Sequence, residues 1–182
     1  KTDIYFLADQ QEPPLQIQGL AAEIGRTIPG FGQVNYPSWE VLLSALQRQT
    51  KKGTTLIIDE FPYLVQKSPE LPSIIQKLID NQQHESNIII CGSSQRMMHG
   101  LVLDGSAPLY GRAAEIIKVR PLEPGWIKEA LGLNGIEAIE AYSVWGGVPR
   151  YWELAKTYEN QEEACKELVL DRDGILHSEP MR

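Results

Sequence analysis

The sequence predicts an α/β fold, a layered sheet of parallel strands, and two observations carry that expectation. Short apolar runs alternate with stretches of helical periodicity through residue 120. One run, Leu56-Ile57-Ile58, is boxed between the breakers Lys52-Gly53 and Pro62 and ends in two carboxylates, Asp59 and Glu60. It reads as a short strand buried on both faces. Open parallel sheets place their ligands at strand C-termini, and acids buried there call for a partner such as a metal ion. The alternative is a solvated acidic pair opening a loop.

The elements follow in order. Residues 3–8 read as the first strand, ended by Asp9-Gln10-Gln11-Glu12 and Pro13-Pro14. Ile17, Leu20, Ala21, Ile24 and Ile28 then share one helical face, closed by Pro29-Gly30. Ser38 is placed to N-cap a second helix carrying Trp39, Leu42, Leu43 and Leu46, which Lys51-Lys52-Gly53 ends. After the strand to Asp59, a helix starts near Pro72 with Leu71, Ile74, Ile75, Leu78 and Ile79 on one face. Residues 87–91 form another apolar strand. Gly92-Ser93-Ser94 ends it with hydroxyls that can reach a phosphate or its attacking water, or cap the next helix.

A fourth strand is expected over 114–119, stopping at Arg120-Pro121. From Leu122 the character turns helical, with helices expected over 126–131, 136–145, from Pro149 onward and over 161–170. Residues 171–182 read as a linker or the start of another domain.

Composition narrows the function. A net charge of −7 argues against a broad basic face for nucleic acid or an anionic membrane. Cys91 and Cys165 have no metal-ligand spacing and read as reduced thiols of a cytoplasmic protein. His84, His99 and His177 are scattered, so no zinc site or catalytic triad is indicated. No apolar run approaches the ~20 residues that cross a bilayer. The chain opens without Met, as though partway through a domain.

Four ordered segments carry a resemblance: 56–64 (LIIDEFPYL), 88–94 (IIICGSS) with Met97-Met98, 108–112 (PLYGR) and 146–151 (GGVPRY). Together they resemble the archaeal-type AAA+ ATPase domain, a STAND-related branch of the P-loop NTPases. The resemblance implies a three-layer, ASCE-type parallel sheet followed by a small helical lid. Residues 1–121 would be a partial ATPase core, 122–170 the lid and 171–182 a linker or the start of a further domain.

It also implies roles, with ATP and Mg²⁺ as cofactors. Asp59 matches the Walker B acid that holds Mg²⁺, and Glu60 the base that activates water against the γ-phosphate. Ser93 and Ser94 fall at the sensor-1 position, with the choice between them open. Arg112 resembles an arginine finger or sensor, in cis or in trans, against the alternative of a structural ion pair. Pro149 resembles the lid proline beside the adenine, against a plain helix start, and Arg150 is a lid sensor or a surface charge.

One departure matters most. No GxxxxGK[ST] phosphate loop occurs in these residues. In the family that loop lies upstream and carries the first central strand, between the strands ending at Ser93 and near Arg120. The expectation is therefore a gapped sheet, weak or no ATP binding by this chain alone, and self-association along the gap. The implied function is an ATP-binding, ATP-hydrolysing switch domain in a parent protein. The alternative is a scaffold that holds nucleotide or none, with negligible turnover. DNA is implied only through a C-terminal domain outside this chain, and no membrane partner is implied.

Overall fold

The computed structural model describes residues 3–81 and 86–179, so His84 and Pro180 lie outside the described residues. Three parallel strands, β1 (Asp3–Leu7), β2 (Thr55–Asp59) and β3 (Asn87–Ile90), form a sheet in the order β1-β2-β3. Helices α1 (Pro13–Gly25), α2 (Trp39–Gln49), α3 (Phe61–Lys67) and α4 (Leu71–Asp80) supply the connections, and α5 (Gln95–Val102) follows β3. Each parallel crossover needs such a returning element, which is why the apolar runs alternate with helical ones.

Strand alternation decides what the helices cover. Ile4, Phe6, Leu56 and Ile58 point into one core with Leu20, Ile24, Leu42, Phe61, Leu64 and Leu71 from α1 to α4. The opposite face carries Tyr5 and Leu7, 52% and 57% exposed, with Ile89 also exposed and Ile57 half-buried. Two corrections follow. The strand at Leu56 to Ile58 is buried on one face, and among the described residues the expected three layers reduce to two, sheet and one helical layer.

The fourth strand is a third correction. Residues 114–119 form no strand, and Ile117 and Val119 are 72% and 87% exposed. A strand persists where its side chains fit a pleated, half-buried surface and its backbone finds a ladder. Here the free edge of β3 has no neighbour among the described residues, so the apolar pattern has nothing to pair with. The helix α3 was not anticipated either. Pro62, a breaker by sequence, stands in the first turn of α3, where its missing N–H costs nothing.

A buried polar link ties α2 to the α3–α4 turn: Trp39 Nε1 donates to Ser68 Oγ at 2.8 Å, both residues being 2% exposed. Ser68→Ala leaves the indole N–H buried without an acceptor, at an expected cost of about 1–3 kcal/mol. Urea unfolding followed through Trp39, the one tryptophan before residue 117, checks this. An unchanged midpoint would mean that the indole finds another acceptor.

The chain divides into two compact units, Lys1–Ile116 and Ile117–Arg182. The second is helical: α6 (Pro124–Leu131), α7 (Ile136–Trp145), α8 (Pro149–Ala155) and α9 (Gln161–Cys165), continued by a π-helical turn, Lys166–Leu170. Ile127, Ala141, Trp145, Trp152, Ala164 and Leu168 form its core. Leu176 packs into that core, so the segment expected as linker is part of the unit as far as that residue. No helix among the described residues is long and apolar enough to cross a membrane.

Candidate active site

The C-terminal ends of the three strands are stitched together. The Ala8 N–H donates to the Asp59 carbonyl at 3.0 Å, Cys91 N–H to Ile58 O at 3.0 Å, and Phe61 N–H to Cys91 O at 2.9 Å. These bonds carry the parallel ladder past the strand ends and hold Asp59, Glu60 and residues 91–93 at one rim.

Asp59 accepts a hydrogen bond on each oxygen, and the Cys91 thiol is a further, weaker donor to the carboxylate. The Glu60 N–H reaches Oδ1 at 2.9 Å and the Tyr5 hydroxyl reaches Oδ2 at 2.8 Å. The Tyr5 hydrogen bond, helped by the Glu60 amide and opposed by burial, holds the Asp59 carboxyl below its ordinary range. The same bond raises the Tyr5 phenol. Neighbouring Cys91 is pushed up, first by burial and then by the charge of Asp59, so its thiol stays protonated.

Glu60 sits in the left-handed region, φ 52° and ψ 38°, the sole non-glycine residue with positive φ among those described. An L-residue pays for that conformation, and such strain gathers at functional sites. Its carboxylate turns toward β3: Ser93 donates to Oε2 from its N–H at 3.3 Å and from its hydroxyl at 3.2 Å. Ser94 does something else, its Oγ accepting from the Met97 N–H at 3.4 Å to cap α5. Asp59, Glu60 and Ser93 are thus brought together, and Ser94 is a helix cap beside them.

Mg²⁺ is commonly held by one or two carboxylates together with substrate phosphates. Asp59 fits that pattern: its charge is met by neutral donors, and it forms no ion pair among the described residues. No cluster of three or more ligating side chains occurs among the described residues, so no all-protein cage is built there.

Arg112 is not gathered with these acids. Its Nε and Nη2 fork onto Asp80 at 2.8 Å each, and Asp80 closes α4 ahead of β3 whereas Ser93 follows it. The guanidinium holds the Asp80 carboxyl below its ordinary range and Asp80 raises Arg112 in return. Because the folded-state value is depressed, the pair stabilises above the ordinary carboxylate range and is lost as pH falls through the lowered one. Arg112→Ala is therefore expected to lower the melting temperature at neutral pH, with the difference closing in acid as Asp80 protonates. Melting wild type and variant across pH 2–7 checks this, and a pH-independent difference would assign the loss to packing.

In the second unit, Pro149 opens α8 and Arg150 pairs with Glu153 at 3.0 Å, both side chains exposed. The turn before them is internally bound. The Leu122 N–H donates to Gly147 O at 2.8 Å, the Tyr142 hydroxyl to Leu122 O at 2.8 Å, and Trp152 Nε1 to Gly146 O at 2.8 Å.

Tyr5 is the residue that pattern reading missed. Its signal lies in parity: once β1 is paired with β2 in register, Tyr5, Ile57 and Asp59 fall on one face, but a single strand does not disclose its register.

The chain is similar over 157 residues to an uncharacterized protein of Methanocaldococcus jannaschii, with 32% identity covering 84% of this chain and 34% of the relative. It therefore spans about a third of that curated relative's length. A family described as an ATPase domain predominantly from Archaea matches residues 15–155. That match includes Asp59, Glu60, Ser93, Arg112 and Pro149, and the chain belongs to this archaeal ATPase-domain family.

Proposed function

We propose that this chain contributes the water-activating and metal-holding acids of an ATP-hydrolysing switch domain, of the AAA+ type in its STAND-related branch. The observation that carries the reading is the trio Asp59, Glu60 and Ser93 at the C-terminal ends of adjacent parallel strands, with Glu60 held in a strained backbone conformation. In open parallel sheets that rim is where ligands bind.

Asp59 is the Walker B acid that would hold Mg²⁺, which when bound neutralises charge on the β- and γ-phosphate oxygens. Glu60 is the general base. Ser93 occupies Oε2, leaving Oε1 to take a proton from the water that attacks the γ-phosphorus. Ser93 thereby links the base to the sensor-1 position, while Ser94 keeps the following helix in place. Arg112, bound to Asp80 within its own chain, serves as a finger in trans if it leaves that partner. Pro149 and Arg150 form the lid's contribution to the nucleotide.

The phosphate-cradling loop is proposed to come from sequence outside these 182 residues, together with a strand lying along the free edge of β3 and pairing with 114–119. The bare edge of β3, the open sheet face and the exposed apolar side chains of 114–119 support this. Without that strand, the chain by itself is expected to bind ATP weakly and to self-associate.

The test is MgATP binding and hydrolysis by the full-length protein beside this chain alone. Turnover by the full-length protein only is the expected result. Binding without turnover would favour a nucleotide-holding scaffold, and tight MgATP binding by the chain alone would refute the divided site.

A further inference from the structure

Tyr5 stands on the open face of the sheet, where burial does not account for an aromatic residue. The register pairs Tyr5 with Ile57 and Leu7 with Asp59, so Tyr5 and Asp59 lie diagonally across β1 and β2 on the same face. A phenol is long enough to close that diagonal, and its hydroxyl donates to Oδ2 at 2.8 Å while the Glu60 amide takes Oδ1 at 2.9 Å. These donors fix the carboxylate plane, and even with the Cys91 thiol as a further weak donor the carboxylate keeps acceptor capacity for a cation. The donors are neutral. A lysine or arginine in place of Tyr5 would compete with a cation for the same charge, and a phenylalanine would leave Oδ2 without a donor.

We propose that Tyr5 is a positioning residue for the divalent cation, its hydroxyl holding the Asp59 carboxylate in the orientation in which the remaining lone pairs receive Mg²⁺. The inference rests on Asp59 being the metal-holding acid, as argued above. Tyr5 acts through Asp59 and touches no reacting atom. The ring is exposed, so removing only its oxygen leaves the packing of β1 in place.

The experiment compares wild type, Tyr5→Phe and Asp59→Asn in the full-length protein. Mn²⁺ binding in the presence of ADP is read by electron paramagnetic resonance, and the dependence of ATP turnover on free Mg²⁺ is measured alongside. Tyr5→Phe is expected to weaken Mn²⁺ binding about tenfold, as loss of a partner that orients a metal ligand does. The Mg²⁺ concentration for half-maximal turnover rises by the same factor, while the KM for ATP at saturating Mg²⁺ stays at the wild-type value. If Asp59→Asn loses Mn²⁺ and Tyr5→Phe binds it as wild type does, the role of Tyr5 is overturned and that of Asp59 stands. If Asp59→Asn binds Mn²⁺ as wild type does, or wild type binds none, the metal reading of Asp59 falls and this inference with it.

Discussion

Glu60→Gln in the full-length protein is expected to lower MgATP turnover by about 10²–10⁴-fold, the usual contribution of a positioned base, while ATP binding is retained. Gln has the same shape and still accepts from the Ser93 N–H and hydroxyl through its carbonyl oxygen, so the link to β3 survives. Only the capacity to take a proton is removed. The backbone argues the same way. A left-handed non-glycine residue costs about 1–2 kcal/mol, and Gly in that place would avoid the cost. Keeping a carboxylate there needs a reason other than stability. Parallel loss of binding and turnover would make Glu60 a residue that shapes the site, and wild-type turnover would remove it as the base.

How far the site could be read from sequence depends on the range of the interactions involved. The strand end that carries Asp59 and Glu60 is legible because its signal is local: an apolar run, two acids and a breaker. The approach of Ser93 to Glu60 was legible only as two strand ends of one sheet, and the division of labour between Ser93 and Ser94 was not legible at all. That division turns on which hydroxyl faces the Met97 amide. For Arg112 the sequence leaves finger and ion pair open, because its partner, Asp80, lies 32 positions away, beyond any local pattern. The fourth strand failed for the opposite reason. Residues 114–119 have strand composition, but a strand is made by its neighbour, and composition does not report whether one is there. Helical elements were legible nearly to the residue where caps were chemical, as at Ser38 and Pro149.

Gly147→Ala is expected to unfold or reorganise the second unit while the first keeps its melt. A Cβ at Gly147 would overlap the Leu122 carbonyl oxygen and meet the Leu122 nitrogen at 2.6 Å and Pro121 Cβ at 2.8 Å. Two of those atoms are backbone and the third is a proline ring, so no flexible side-chain end can give way. The turn has to open, breaking the Leu122 to Gly147 hydrogen bond and displacing the carbonyl that Tyr142 binds. Overpacking costs about 1–3 kcal/mol, and each lost hydrogen bond adds about 1 kcal/mol. Gly146 is required for a different reason. Its φ of 56° and ψ of −154° lie in a region open essentially to glycine alone, although an added Cβ there meets nothing within 4 Å. The pair therefore divides the demand, one glycine for conformation and one for space, and both demands exist without nucleotide. Near-ultraviolet circular dichroism reports the change through Trp145 and Trp152 of the second core, and a Trp126→Phe background keeps the exposed indole out of the signal. If Gly147→Ala melts as wild type does, residues 121–122 must be able to move away from the turn, and the steric demand for glycine there falls.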